Sequence, residues 1–326
     1  MDKKVYLRGK AGTYWYNFTE GLAYALTYKP TPENLIYEKK LRYGSEKLQY
    51  INTYCRKDIE DKSKPLMIYI HGGGWVSGIT EMRNTYTRNF AEAGFYTACI
   101  SYTYAPDKDY KGALNEICAA TDMIFDLAKE KKIDTGRILL AGESAGGYYI
   151  FFMAALAKDK SLAAKLGITF RHNEEFDVDA MISHCGCVNL KRLLDPSCPQ
   201  SKFPDMKMMV CSLLGMKYED ARKFLETEEG YLSYPHITAD FPPVFFTTAC
   251  FDYLRYEGYD LMKEYDNFHI PYASYEGTGI IGFHAWTIVT KFKKSRECLK
   301  RTFDFIMPYF AGESKQIQDG VKNEKA

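Results

Sequence analysis

Six residues, Gly142-Glu143-Ser144-Ala145-Gly146-Gly147, constrain the fold of this chain more than any other stretch. An apolar run, Arg137-Ile138-Leu139-Leu140-Ala141, leads into them and reads as a buried strand. A second apolar run, Tyr148-Tyr149-Ile150-Phe151-Phe152-Met153-Ala154-Ala155, leads out and reads as the start of a buried helix. Between strand and helix stands G-x-S-x-G, which needs a sharp turn with Ser144 at its apex in a strained backbone conformation. Gly142 and Gly146 carry no Cβ and so let neighbouring chain pass close by. The helix start then points free N–H groups and a positive dipole end at the serine, which favours negative charge developing beside it. A Gly-rich turn holding an ordinary serine would carry the same residues, so the motif needs support from elsewhere.

That support lies upstream. Lys64-Pro65 opens Leu66-Met67-Ile68-Tyr69-Ile70, an apolar, proline-bounded run that reads as another buried strand. It runs straight into His71-Gly72-Gly73-Gly74-Trp75. A serine attacking a carbonyl needs donors for the oxyanion, and the backbone of a glycine loop supplies them. Gly73 and Gly74 are the expected donors, with Ala145 as the third. The alternative, a phosphate loop of the Walker type, would end in Gly-Lys-Ser/Thr, and this one does not.

The rest of the chain alternates strands and helices. Strands are expected at 47–54 (as an edge), 95–102, 179–184, 242–249 and 271–275. Helices are expected at 81–93, 110–131, 145–157, 255–267 and 285–310. This alternation predicts βαβ units and a mostly parallel sheet flanked by helices. Residues 1–45 are aromatic and charged and read as one or two short helices covering something else. Residues 194–238 interrupt the alternation with Pro196, Pro199, Pro204, a Met-rich run and a charged helix near 218–227. A long insertion between strands is usually functional, and it reads with residues 1–45 as a cap on one α/β domain spanning 1–326. The polar tail from Gly312 reads as disordered.

Function in such a sheet gathers at the carboxyl ends of its strands. The order for this arrangement is nucleophile, acid, histidine. Asp252 follows the 242–249 strand, and His284 follows the last strand on a glycine-rich loop. His284 is then the expected general base to Ser144, and Asp252 the acid that orients its imidazole. Glu257 and Asp260 compete with Asp252, but both fall inside the following helix. His184 rivals His284, because it too ends a strand.

Several function classes drop out on composition. The net charge of +1 gives no electrostatic reason to expect nucleic acid or an anionic membrane as partner. Nine cysteines, no apolar leader after Met1-Asp2-Lys3-Lys4 and no paired zinc-type spacing point to buried free thiols in a reducing cytoplasm. Cys185 and Cys187 beside His184 could suggest zinc, but no second pair matches them, so no metal and no cofactor is expected.

The chain resembles the hormone-sensitive-lipase-like group of α/β-hydrolase esterases. That family pairs an HGGGW-type loop with a G-[DE]-S-A-G-G elbow, and both stand here. Tyr102-Thr103-Tyr104-Ala105-Pro106-Asp107 is similar to its Y-R-L-A-P-E stretch, with three residues replaced. Asp252-Tyr253-Leu254-Arg255-Tyr256-Glu257-Gly258 is similar to its D-x-L-x-x-E-G segment. The likeness runs from about 65 to about 310. It departs at the histidine: the family shows H-G-F soon after Y-E-G, whereas His284-Ala285-Trp286 stands several residues beyond Tyr275-Glu276-Gly277. The resemblance implies the α/β-hydrolase fold, a helical cap and carboxylester activity; Ser144 would form an acyl-enzyme, and the N-terminal aromatics and the insertion, narrowing the acyl pocket, lead to an expected preference for short-acyl esters. An amidase, formamidase or peptidase on the same residues, or a non-catalytic ligand receptor, remains an alternative, and a homodimer is left open.

Overall fold

A computed structural model of the chain describes residues 1–58 and 64–311. Eight strands form one sheet: β1 (Leu35–Arg42), β2 (Tyr50–Arg56), β3 (Pro65–Ile70), β4 (Tyr96–Ser101), β5 (Asp134–Glu143), β6 (Ala180–His184), β7 (Val244–Ala249) and β8 (Tyr272–Gly277). Their order is β1-β2-β4-β3-β5-β6-β7-β8. β1 and β2 pair antiparallel with each other, and β2 with β4, whereas every pair from β4 to β8 is parallel. The helices are α1 (Lys3–Thr27), α2 (Asn84–Glu92), α3 (Tyr110–Lys131), α4 (Ala145–Lys158), α5 (Leu162–Leu166), α6 (Leu190–Leu194), α7 (Met206–Leu214), α8 (Tyr218–Phe224), α9 (Glu228–Tyr231), α10 (Arg255–Phe268) and α11 (Lys293–Ile306). This is the α/β-hydrolase architecture that the motifs imply.

The apolar runs become central strands because helices cover both faces of the sheet. Every residue of β3, β4 and β7 is buried. Side chains alternate between faces along each strand. In β3, Leu66, Ile68 and Ile70 join a core with Ile117 of α3 and Phe151 of α4, while Met67 and Tyr69 join another with Phe90 of α2 and Ile306 of α11. The register aligns the strand ends: Ile70 stands opposite Gly142, Glu143 opposite His184, and His184 opposite Thr247. The glycine loop, Ser144, Asp252 and His284 all lie beyond these ends.

Helix α3 and strand β7 keep the bounds expected of them or nearly so. Asp109 caps α3 by accepting from the Gly112 N–H, and left-handed Lys132 (φ 58°) ends it. Four expectations need correction. Lys3–Thr27 form one 25-residue helix rather than short ones, started by Asp2, whose carboxylate accepts from the N–H groups of Lys4 and Val5. Residues 35–42, expected in the cap, pair with β2 and form the edge of the sheet. That moves the 47–54 strand one place inward, as β2. β1 escaped notice because a bulge between Glu38 and Leu41, with Lys40 at φ 52°, breaks its alternation. The last helix begins at Lys293, not at 285. Left-handed Ala285 (φ 54°) and buried Trp286, whose indole N–H donates to the Thr248 carbonyl at 2.9 Å, keep 285–292 out of the α-helix, with a single 3-10 turn at Trp286–Ile288. The helical insertion begins earlier than 194, at α6. The tail from Gly312 lies outside the described residues.

Candidate active site

Ser144 sits at φ 54°, ψ −120° between β5 and α4, a conformation that non-glycine residues adopt only when their surroundings enforce it. Here the turn is pinned from both sides. The Ser144 N–H donates to the His184 carbonyl at 2.9 Å, and the Ser144 carbonyl accepts from Gly147 and Cys187. The crossing with β3 leaves no room: a Cβ on Gly146 would collide with the Ile70 carbonyl, and one on Gly142 would lie 2.8 Å from the Gly146 oxygen. The elbow therefore needs both glycines.

The loop after β3 is equally fixed. Gly73 and Gly74 take φ 117° and 60°, which their lack of a side chain permits. The Gly73 carbonyl accepts from the N–H groups of Val76 and Ser77, closing a tight turn. His71 stacks on Tyr102 at 4.5 Å, and the Tyr102 hydroxyl donates to the His71 carbonyl. Burial, aided by the charge of Arg83, pushes the His71 imidazole down to about 4, so it is neutral and structural. Ala145 is the first residue of α4, where a backbone N–H has no partner within the helix.

Asp252 lies in the turn after β7 and is 3% exposed. Its Oδ1 accepts from the Leu254 N–H at 2.9 Å, and its Oδ2 from His284 Nδ1 at 2.6 Å. With a proton on Nδ1, neutral His284 presents Nε2 as an acceptor. That Nε2 is buried and has no hydrogen-bond partner among the described residues. The structure thus brings Asp252 and His284 together despite the long loop between β8 and the histidine. Ser144, His284, Gly73 and Gly74 line one cavity of about 260 Å³, whose other walls include Tyr16, Glu20 and Tyr24 of α1 and Phe203 and Met209 of the insertion. Phe203 meets the His284 ring edge-on at 4.9 Å.

The rival residues are occupied elsewhere. His184 is 1% exposed, with Nε2 on the Tyr86 hydroxyl at 2.5 Å and Nδ1 on the Thr247 hydroxyl at 3.0 Å. Burial holds it down at about 4. Glu257 is fully buried and accepts from the N–H groups of Val188 and Asn189 and from Arg192 and Gln200, tying α10 to the insertion. Asp260 bonds Gln200 and Lys263.

Two features escaped the sequence reading. Glu143, the variable position of the elbow, is buried and ionised. Burial alone would raise its carboxyl, but the Arg83 charge and the hydrogen bonds from Tyr69 and the Gly72 N–H outweigh it and hold it below the usual range. Arg83 Nε meets Glu143 at 2.5 Å and its other arm meets Glu20 of α1 at 3.0 Å. The Ser77 hydroxyl lies 3.1 Å from Glu20 Oε1 and 2.9 Å from the Gly73 carbonyl, and its one proton serves one of these acceptors at a time. A carboxylate next to a buried nucleophile implies a buried cation, though the sequence does not say which one. The second feature is Cys185. Its sulfur, an Asp252 oxygen and a His284 nitrogen lie within 4.8 Å of one another, a spacing that a metal ion could also bridge. Burial, then the Asp252 charge, push this thiol well above its ordinary range, so it stands as a neutral S–H beside a carboxylate already bonded to His284. All nine cysteines are free, as expected of unpaired thiols.

A family model described as BD-FAE matches residues 51–253. Among curated relatives, the chain is 31% identical over 129 residues to carboxylesterase NlhH of Mycobacterium tuberculosis, a stretch covering 39% of this chain and 40% of that relative. The chain thus spans about two fifths of that relative's length. Among solved structures, esterase B from Lactobacillus rhamnosis matches with a TM-score of 0.76 and 20% identity, over 94% of this chain and 96% of that one. An esterase from the bacterial hormone-sensitive lipase family matches with a TM-score of 0.64 and 16% identity, over 91% and 90%. At these identities the structural likeness is one of fold. Among the described residues, no helix is long and apolar enough to cross a membrane.

Proposed function

The chain belongs to the BD-FAE family and has the α/β-hydrolase fold of hormone-sensitive-lipase-like esterases, and on that premise we propose that it is a serine carboxylesterase acting on short-acyl esters. One observation carries the reading: His284 has Nδ1 tied to a buried carboxylate and a bare Nε2 lining the same cavity as the strained serine. His184 has both nitrogens bonded, and His71, whose Nε2 is also unpartnered, has its Nδ1 on the Gly72 carbonyl rather than on a carboxylate, so the pairing of Nδ1 with Asp252 is what sets His284 apart.

In this reading Ser144 Oγ attacks the ester carbonyl carbon while its proton passes to His284 Nε2. The carbonyl oxygen becomes an oxyanion held by the N–H groups of Gly73, Gly74 and Ala145. As the tetrahedral centre collapses, His284 returns the proton to the leaving alkoxide, giving the alcohol and an acyl-Ser144. Water then gives up a proton to His284, attacks the acyl carbon and releases the acid with Ser144 restored. Asp252 keeps the proton on Nδ1 and stabilises the imidazolium. The Glu20–Arg83–Glu143 chain adds preorganisation, because Glu143 holds the Gly72 N–H immediately before the first donor, Gly73.

We treat the chain as one domain with α1 and 190–238 as its cap. Tyr16, Tyr24, Phe203 and Met209 bound the cavity, which supports a small acyl group. The test is turnover of p-nitrophenyl esters from acetyl to palmitoyl beside the matching anilides. Faster hydrolysis of short esters, abolished in Ser144→Ala, supports the proposal. Anilides turned over faster than esters would make the protein an amidase instead.

A further inference from the structure

Helix α1 has an inner face and an outer face, and both are apolar. Tyr16 and Glu20 on the inner face line the cavity, and Gly9 and Gly12 pack closely on Ser212 and Met208 of α7. On the outer face Leu7, Tyr14, Trp15, Phe18 and Leu22 are 56, 73, 61, 68 and 58% exposed. At 3.6 residues per turn these five positions fall within an arc of roughly 100°. Single exposed apolar side chains are ordinary, but a continuous stripe of large ones along four turns marks an interaction surface.

The charges around the stripe say what it meets. At the N-terminal end of α1, Lys4 and Arg8 join Lys207 and Lys217 around a surface cavity of about 380 Å³, where the carboxylates are Asp2 and Asp205. Lys217 pairs with Asp2 at 3.2 Å, Lys207 lies over the Tyr218 ring at 3.6 Å, and Asp205 accepts from the Tyr16 hydroxyl, so among the described residues Lys4 and Arg8 are the cations of this cluster that face no carboxylate. Along α1 itself the one acid is Glu20, which turns inward to Arg83. A second copy of the chain pairing helix to helix would bring no α1 carboxylate to these cations. Phosphate headgroups would, and Trp, Phe and Leu beside Lys and Arg are the residues that settle at a bilayer boundary. The chain-wide charge of +1 hides this cluster because it is an average.

We propose that α1 docks lengthwise on an anionic lipid surface, with Trp15, Phe18 and Leu22 in the headgroup–acyl boundary and Lys4 and Arg8 on the phosphates. The helix lies on the bilayer and does not span it. Because the same helix walls the cavity, docking sets that wall against the place where sparingly soluble esters collect.

The chain carries its own reporter. Of its three tryptophans, Trp75 and Trp286 are fully buried and Trp15 is exposed. The full-length protein is mixed at low salt with phosphatidylcholine vesicles, with or without about one third phosphatidylglycerol. Co-sedimentation, a blue shift of Trp15 emission and protection from iodide are expected with the anionic vesicles. Binding should fall at least about tenfold on pure phosphatidylcholine or in molar salt, since the Debye length then shrinks to about 3 Å. F18S/L22S, which keeps the reporter, should bind about tenfold more weakly while hydrolysing a soluble ester at the wild-type rate. K4E/R8E should lose the preference for phosphatidylglycerol. Wild-type protein that ignores anionic vesicles would overturn the proposal, as would F18S/L22S binding like wild type. A wild-type dimer that F18S/L22S converts to monomer, without vesicle binding, would assign the stripe to self-association instead. The readout is binding, so a protein that binds vesicles yet hydrolyses no ester would fail the esterase reading alone.

Discussion

Replacing Asp252 by Asn changes one oxygen to an NH₂ group, and the structure fixes which way the amide must point. The Leu254 N–H donates to Oδ1 at 2.9 Å, so the amide oxygen must stay there. The NH₂ then faces His284 Nδ1 in place of the oxygen now 2.6 Å away. It can only donate, which moves the imidazole proton to Nε2 and leaves Ser144 without a base. The flipped amide would keep the right tautomer but set two buried donors against each other, at about 1–3 kcal/mol apiece. It would also replace a charged hydrogen bond to the imidazolium, worth about 1.5–3 kcal/mol, by a neutral one. For the flipped orientation these costs sum to a barrier increase of about 3–8 kcal/mol, the lost charged bond counting only by its excess over the neutral one. The same exchange in serine proteases costs about 10⁴ in kcat, or ~5 kcal/mol, within that range. Asp252→Asn should therefore lose three to four decades of kcat, about 10³ to 10⁴, with little change in KM. The assay is steady-state hydrolysis of one soluble ester at one pH. Asp260→Asn should be near neutral, and Glu257→Gln should cost more stability than kcat, because Glu257 holds α10 to the insertion. A Asp252→Asn enzyme keeping more than about a tenth of wild-type kcat would refute the tautomer argument.

Further outcomes follow from the buried charges and the cavity. Arg83→Met leaves Glu143 buried without its cation, and urea unfolding should show a loss of about 3–5 kcal/mol; a change below about 1 kcal/mol would mean that the ion pair is not what fixes the elbow. His71 and His184 are held neutral down to about 4, whereas in the unfolded chain they protonate near 6.5. The unfolded state therefore takes up protons that the native state refuses, and stability is complete above about pH 6.5 and falls toward pH 4, by up to about 3 kcal/mol per histidine. Melting curves across that window check the sign, and His184→Asn should flatten the slope. Butyryl esters should exceed palmitoyl esters in kcat/KM, since each methylene that fits gains about 0.8 kcal/mol only until Phe203, Met209, Tyr16 and Tyr24 stop the chain; a palmitoyl preference would mean an open groove.

What the sequence disclosed was local. The elbow, the glycine loop, α3 and β7 announce themselves by short apolar runs with turn residues at their ends, and the strand-end rule then singles out Asp252 and His284. What it concealed was pairing at a distance. Glu20, Arg83 and Glu143 form one ion chain, yet 63 and 60 residues separate its links. β1 was hidden by its bulge, and the full length of α1, expected as one or two short helices, by apolar residues on both faces, which erase the polar–apolar contrast that marks a surface helix. The loop 285–292 read as helix because its composition suits one; the tertiary bond from Trp286 to Thr248 decides otherwise.

The proposed esterase activity turns on Ser144 acting as the nucleophile and His284 as its base. Incubation with a p-nitrophenyl alkylphosphonate, followed by peptide mass mapping, tests it most directly. One phosphonyl group per chain is expected, on Ser144, with p-nitrophenol released in equal amount and labelling slowed by orders of magnitude in His284→Ala. Stoichiometric labelling of another residue, or labelling of Ser144 at an unchanged rate in His284→Ala, would contradict it.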